Sequence, residues 1–224
     1  MNASFKQISS RICTAEFKLY KEEDTGNRID IPVVFICAYA PTLVNTKKDI
    51  TTTEHFYNDL DNLISSISKR KFLILAGDFN AKTGTSHTLY PNNIGRYGKG
   101  ETNLNGEFVI SSIVRNELFL TNTFFKHKLA HITTWESPEF INRTHNGEIR
   151  RNPYRNQIDY IATRLNYRQF ITDSRSYNGI DISTDHRIVI TKFKYIYRYL
   201  VNKNNNKKID QIATERISDP IKQK

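Results

Sequence analysis

Phe72-Leu73-Ile74-Leu75-Ala76-Gly77-Asp78-Phe79-Asn80 is an apolar run that empties into a glycine, a carboxylate and a carboxamide. Consecutive apolar residues in a run this short read as a buried strand. Its end puts Asp78 and Asn80 on the rim of a sheet, where layered α/β proteins tend to bind ligands. Asp78 can take a proton from water or hold a metal ion. Asn80 can donate hydrogen bonds to an anionic oxygen without adding negative charge. The pairing suits hydrolysis of a phosphate ester, although Asp and Asn at a strand end are also ordinary turn residues.

Outward from this strand, helices and strands alternate. Upstream, Ile12, Ala15, Phe17, Leu19 and Tyr20 suggest a strand, Asp24-Thr25-Gly26-Asn27 a turn, and Val33 to Ala38 the returning strand, which Pro41 stops. Phe56, Leu60, Leu63, Ile64 and Ile67 form an apolar face at helical spacing, with Thr52 or Thr53 as its cap. Downstream, residues 81–106 carry five glycines and several asparagines and read as a long functional loop. Phe108, Ile110, Ile113, Val114 and Leu118 form a second helical face. Strand-like segments recur near 118–123, 131–136, 157–163, 172–177 and 187–195. The alternation predicts a layered α/β or α+β sandwich. Residues 202–208 are rich in Asn and Lys and read as a solvated linker.

The chain has 224 residues, enough for one sizeable core, and 38% of them are hydrophobic. Its 33 Lys and Arg against 23 acidic residues give a net charge of +10. That balance favours a polyanionic partner, nucleic acid before an anionic membrane surface. The longest apolar stretch, Ile31 to Ala40, is too short to span a bilayer, and the first residues have no signal-peptide core. Cys13 and Cys37 lie in strand-like segments without metal-site spacing and read as buried free thiols of an intracellular protein.

Four further segments put polar groups where apolar strands run out. Tyr39 ends the strand before Pro41, and its hydroxyl can bond a phosphate oxygen. Trp135 is the only tryptophan; such a residue is usually core, or it stacks on a base. Asp159 interrupts an apolar strand, which is costly unless it is paired. Asp185-His186 precedes Ile188-Val189-Ile190 and offers a metal-binding carboxylate beside a group that titrates near neutral pH. A buried carboxylate and a histidine in one chain suggest an acid that orients an imidazole.

In that order, Tyr39-Ala40-Pro41-Thr42, Gly77-Asp78-Phe79-Asn80-Ala81-Lys82-Thr83-Gly84, Arg155-Asn156-Gln157-Ile158-Asp159-Tyr160-Ile161 and Ser183-Thr184-Asp185-His186 resemble the endonuclease/exonuclease/phosphatase superfamily. The glycines at 95, 98, 100 and 106 with Asn103 and Asn105, and Thr133-Thr134-Trp135-x-Ser137-Pro138, look more narrowly like the apurinic-endonuclease-like domain of non-LTR retrotransposons and its craniofacial-development-protein-like relatives. The resemblance implies an α+β, four-layer α/β/β/α sandwich over residues 8–195, followed by a basic tail at 196–224. It implies Mg²⁺-dependent (or Mn²⁺-dependent) hydrolysis of DNA phosphodiesters. Asp78 would activate water, Asn80 and Tyr39 would touch the phosphate, Asp159 would orient His186, and Asp185 would lie near the metal. Arg96, Lys99, Trp135, Arg155, Arg150 and Arg151 are the candidates for nucleic-acid contact.

The same resemblance implies that the first strands of the family fold are missing here, and with them a principal metal-ligand Glu that Glu16, Glu22 and Glu23 do not replace. The expectation is an N-terminally truncated copy whose last residues, 215–224, resemble the connector to a reverse transcriptase. An intracellular protein is expected, with the nucleus as one compartment, DNA and a reverse transcriptase domain as partners, and no membrane association. Two other readings stay open: a catalytically dead, basic nucleic-acid-binding remnant, and a phosphatase of the same superfamily.

Overall fold

A computed structural model describes residues 3–22, 28–43, 46–84, 86–145, 148–179 and 184–194. Around the apolar run lies a six-stranded mixed sheet in the order β1-β2-β3-β4-β8-β5. Its strands are β1 (Ser4–Gln7), β2 (Ile12–Glu22), β3 (Arg28–Tyr39), β4 (Phe72–Asp78), β5 (Leu118–Leu120) and β8 (Asp159–Arg164). β3 and β4 pair in parallel and the other neighbours are antiparallel. The parallel pair needs a crossover, and helix α1 (Lys47–Ser66) supplies it. Two small antiparallel sheets complete the chain: β6 (Trp135–His145) with β7 (Glu148–Asn156), and β9 (Ile171–Tyr177) with β10 (Ile188–Phe193).

β3 and β4 are apolar on both faces, so each face must be covered. On one side Val34, Ile36, Leu73 and Leu75 pack under Phe56, Leu60 and Ile64 of α1 and Val109, Ile110 and Ile113 of α2 (Leu104–Arg115). Each fully buried Leu, Ile or Phe of this layer contributes about 1.5–3 kcal/mol. On the other side Ile31, Val33 and Phe72 meet Tyr167, with Phe17, Ile74, Phe170 and Phe193 packed around them. The β9–β10 pair lies on that side, tied to β5 and β8 through hydroxyls. Thr121 Oγ1 is 2.9 Å from Ser174 Oγ and 3.0 Å from Thr191 Oγ1, and it donates to the Ile161 carbonyl at 2.9 Å.

Helix α1 begins earlier than the sequence suggests. Its cap is Thr46, which forms a reciprocal capping box with Asp49, and not Thr52 or Thr53. Thr52 already lies inside the helix, its hydroxyl donating to the Lys48 carbonyl at 2.8 Å. At the other end a buried side chain, not glycine, covers the last carbonyls. Arg164 donates to Ile67 O at 2.9 Å, Ser68 O at 3.0 Å and Lys71 O at 3.3 Å. Asn103 caps α2, where its side-chain oxygen accepts from Gly106 N at 2.9 Å and Lys82 N at 2.8 Å.

The expected strands at 12–20, 33–38, 72–76, 157–163, 172–177 and 187–195 are present, within a few residues at their ends; the one at 118–123 stops at Leu120, where a 3₁₀ turn follows, and of 131–136 only Trp135 and Glu136 are strand, because a 3₁₀ turn at Leu129–His131 precedes them. Leu118, read both in the second helical face and at the start of a strand, opens β5. β1, β7 and most of β6 had no apolar signal. The cysteines are free but not buried: Cys37 is exposed and Cys13 half-buried, because alternate residues of β3 turn away from the helix-covered core. The turn at 24–27 and the tail at 196–224, with its connector-like end, lie outside the described residues. No helix among the described residues is long and apolar enough to cross a membrane.

Candidate active site

Strand register lines up the site. Tyr39 of β3 stands opposite Asp78 of β4, and Asp78 stands opposite Asp159 of β8. Three of the side chains singled out in the sequence therefore share one row across three neighbouring strands. Gly77 lets β4 come this close to β3, since a Cβ there would lie 1.8 Å from the Ala38 carbonyl oxygen. The fourth side chain arrives from the segment before β10, where His186 forms an isolated antiparallel bridge with Trp135.

His186 Nδ1 is 3.1 Å from both carboxylate oxygens of Asp159. Its Nε2 is 4.0 Å from Asp78 Oδ2. The imidazole thus sits between two carboxylates, one holding its inner nitrogen and the other facing its outer one. The hydrogen bond to Asp159 raises the pKa of His186, and the charges of Asp159, Asp78 and Asp185 add to this against the opposing effect of burial. Burial acts the other way on Asp78, lifting its pKa from 3.8 to about 6, with the Asp159 charge adding to the rise. The Asn80 N–H, which donates to Asp78 Oδ1 at 2.8 Å, offsets part of that rise.

The supports of the row are polar and buried. Thr134 Oγ1 accepts from the backbone N–H groups of Ile158 and Asp159, both at 3.0 Å. Asn122 donates to the Asp159 carbonyl at 3.0 Å. Gln157 accepts from Lys99 N at 3.2 Å and donates to Asn122 O at 3.2 Å. Tyr160, fully buried, has its hydroxyl 2.9 Å from Gln157 O and 3.1 Å from Ala81 O, and it accepts from Thr83. Burial pushes this phenol up to about 12, so it acts as a neutral clamp. Of these supports, Thr83, Thr134, Gln157 and Tyr160 fall within the segments that carry the family resemblance, whereas Asn122 had no sequence signal.

Asn80 adopts a left-handed backbone, with φ of 48°, which Asn tolerates better than most residues. Its amide donates to the Ala40 carbonyl at 2.9 Å, which fixes its position beside Asp78. Tyr39 is exposed, with the Arg11 guanidinium 5.3 Å above its ring. Asp185 accepts from Trp135 Nε1 at 2.8 Å, and this bond holds its pKa below the usual carboxylate range. Trp135 is therefore a support for Asp185, neither wholly core nor a free stacking face.

Asp78, Asp159 and His186 each offer a ligand atom, and these atoms lie within 4.8 Å of one another. The donors fit a divalent cation. Two carboxylates face each other across β4 and β8, and a cation would offset the cost of burying the Asp78 charge. Asp185, expected near a metal, is not among these three. Glu16 is committed elsewhere, ion-paired with Lys71.

Among the residues proposed for nucleic-acid contact, Lys99 donates through Nζ to the Arg155 carbonyl, and Arg155 pairs with Glu136 at 3.0 Å. Glu136 also pairs with Arg187. Lys82, Lys99, Tyr154, Arg155 and Asn156 line an open groove of about 540 Å³ at the base of the β6–β7 hairpin. Arg96 is exposed on a loop pinned by Thr123, to which Gly95 N donates through the hydroxyl and Tyr97 N through the carbonyl. Arg150 and Arg151 lie on β7, and their side chains fall outside the described residues.

No protein-family model matches the chain. It is 33% identical over 169 residues to craniofacial development protein 2 of Bos taurus, covering 75% of this chain and 25% of that protein. The same protein of Tragulus javanicus is 31% identical over 169 residues, covering 75% and 26%. The chain thus spans about a quarter of the length of these curated relatives. Among solved structures, the endonuclease domain of TRAS1, a telomere-specific non-LTR retrotransposon, superposes with a TM-score of 0.54 at 13% identity, over 87% of this chain and 70% of that one. The APE2 catalytic domain of Xenopus laevis gives 0.51 at 15% identity, over 82% and 56%. A 3' phosphatase NExo from Neisseria, bound to product DNA hairpin, gives 0.54 at 12%, over 87% and 71%. The chain is a homologue of part of craniofacial development protein 2 and has the fold of the endonuclease/exonuclease/phosphatase superfamily.

Proposed function

We propose that this chain is a partial endonuclease/exonuclease/phosphatase domain, residues 8–195 with a basic tail at 196–224, whose chemistry is metal-dependent hydrolysis of a DNA phosphodiester. The observation that carries the reading is the cluster Asp159–His186–Asp78, in which one imidazole is hydrogen-bonded to Asp159 and faces Asp78 with Nε2 4.0 Å from its Oδ2. Asp159 fixes the ring and favours its charged form, so Nε2 presents a proton to a phosphoryl oxygen. Asp78, the carboxylate that faces His186 Nε2 across the site, is suited to take a proton from the attacking water. Tyr39 and Asn80 flank the position a phosphate would take. A Mg²⁺ ion, or Mn²⁺ in its place, would be held by Asp78 and Asp159 with Asp185 near it. It would supply positive charge to the developing phosphoryl oxygens.

The net charge of +10 supports a polyanionic substrate, and the groove lined by Lys82, Lys99 and Arg155, together with Arg96 and Trp135, offers a path for its backbone. On this reading the protein acts in the nucleus, and a reverse transcriptase domain is its partner in an element that encodes both. The test is nicking of supercoiled plasmid with Mg²⁺, against an EDTA control. Asp78→Asn and His186→Ala should each lower the nicking rate by about 100-fold or more. Absence of nicking with either Mg²⁺ or Mn²⁺, or full activity in either variant, overturns the assignment.

A further inference from the structure

Cys13 of β2 and Cys37 of β3 are direct cross-strand partners in the antiparallel register. Two residues further along the pair, Tyr39 N–H donates to the Arg11 carbonyl at 2.9 Å. Hydrogen-bonded pairs recur every second residue, so Cys13 and Cys37 also form one. Both side chains leave the sheet on the face opposite α1, the face that carries Tyr39. Ile12, Ile36 and Ala38, which alternate with them, are buried in the helix-covered core. Both thiols are free, Cys37 exposed and Cys13 half-buried. Desolvation and then the neighbouring Cys13 thiol hold the Cys37 thiol above its ordinary range.

We propose that Cys13 and Cys37 form a redox-sensitive dithiol site, which a low-molecular-weight disulfide converts into a reversible bridge between β2 and β3. Neither residue belongs to the catalytic row. The thiolate of one cysteine attacks a sulfur of glutathione disulfide, forming a mixed disulfide and expelling one glutathione thiolate. The partner cysteine, as thiolate, then attacks the protein sulfur of that mixed disulfide and expels the second. Two protein thiols and one glutathione disulfide thus become one protein disulfide and two glutathione molecules, with the protons passing to solvent.

Geometry decides the character of the bridge. A hydrogen-bonded antiparallel pair holds its Cα atoms about 5.5 Å apart, within the range of disulfides. Its Cβ atoms, at the wide end of about 4.5–5.5 Å, must close to about 3.5–4.5 Å. The bridge therefore pulls two strands together locally and carries strain, and strained bridges are the readily reduced ones. This is the geometry of a switch more than of a permanent staple. Its position, two residues before Tyr39, would stiffen the strand end that presents that side chain.

The test uses the full chain, reduced, freed of reductant and incubated with excess glutathione disulfide. Free thiols are counted after denaturation, the intact mass is measured, and non-reducing gels report crosslinking. The expected result is joint loss of both thiols in a monomer lighter by two hydrogens, reversed by reduced glutathione. Cys13→Ser and Cys37→Ser should each instead accumulate one glutathione adduct. Two free thiols after oxidation, a stable single adduct on the unsubstituted chain, or a disulfide-linked dimer would each overturn the proposal.

Discussion

Asp78 should destabilise the metal-free protein at neutral pH, and replacing it with asparagine should reveal by how much. Burial lifts its pKa from 3.8 to about 6, so the folded state binds a proton that the unfolded state has already lost. The sign follows from linkage. Below about pH 4 both states are protonated and the effect is small. Between about pH 4 and 6 the unfolded chain ionises and the folded site resists, so the cost grows. Above about pH 6 both are ionised and the cost is constant.

Two pKa units correspond to about 3 kcal/mol, and partial solvent access to the carboxylate trims this to about 1–3 kcal/mol. Asp78→Asn keeps the shape and the acceptor for Asn80 N–H but removes the charge. In EDTA its melting temperature at pH 7–8 should exceed that of the parent by an amount on the order of 2–10 °C, with little difference near pH 4. Added Mg²⁺ should stabilise the parent more than the variant, which lacks one ligand charge. A variant no more stable than the parent at pH 8, or a difference that ignores pH between 4 and 6, would refute the buried-charge account.

Two further outcomes follow from the same contacts. Asp159→Asn removes the main cause of the raised His186 pKa, so the imidazole should titrate at lower pH, measured by NMR of the ring protons; an unchanged midpoint would mean that Asp159 does not hold the ring. Arg164→Met preserves a long side chain but deletes three hydrogen bonds to the carbonyls that end α1 and the turn after it. It should cost about 2–4 kcal/mol in urea unfolding, because buried carbonyls lose charged donors; a loss below about 0.5 kcal/mol would show that water replaces the guanidinium freely.

The central sheet and the row Tyr39, Asp78, Asp159 were legible in the sequence because burial forces apolar runs there, and any polar residue that interrupts such a run must have a reason. Asp159 is the clearest example: its cost in an apolar strand demanded a partner, and His186 is that partner. What escaped notice was structure held by backbone pairing without an apolar face. β1 is exposed along its whole length, and β7, running Glu148–Asn156, is largely Arg and Asn. Neither carries the alternation that marks a half-buried strand. Asn122 was equally silent, and the supporting roles of Gln157 and Tyr160 were not readable from their motif, since what a buried polar side chain does becomes recognisable only once its partner is in place. The α1 cap was misplaced because several threonines compete locally, and only the reciprocal bond between Thr46 and Asp49 chooses among them.

The alignment of Tyr39, Asp78 and Asp159 by strand register has a consequence for how the site is lost. No loop carries the row, so it has no independent way to loosen. A one-residue slip of β4 or β8 would turn its carboxylate to the opposite face and bury it among Leu73, Leu75 and Ala162. The row therefore exists in full or not at all, and it appears only when segments up to 120 residues apart in sequence, from Tyr39 to Asp159, have found one another. Heat should then break up the row only with global unfolding of the sheet, and a short peptide carrying Gly77-Asp78-Phe79-Asn80 should possess none of the chemistry that this row makes available.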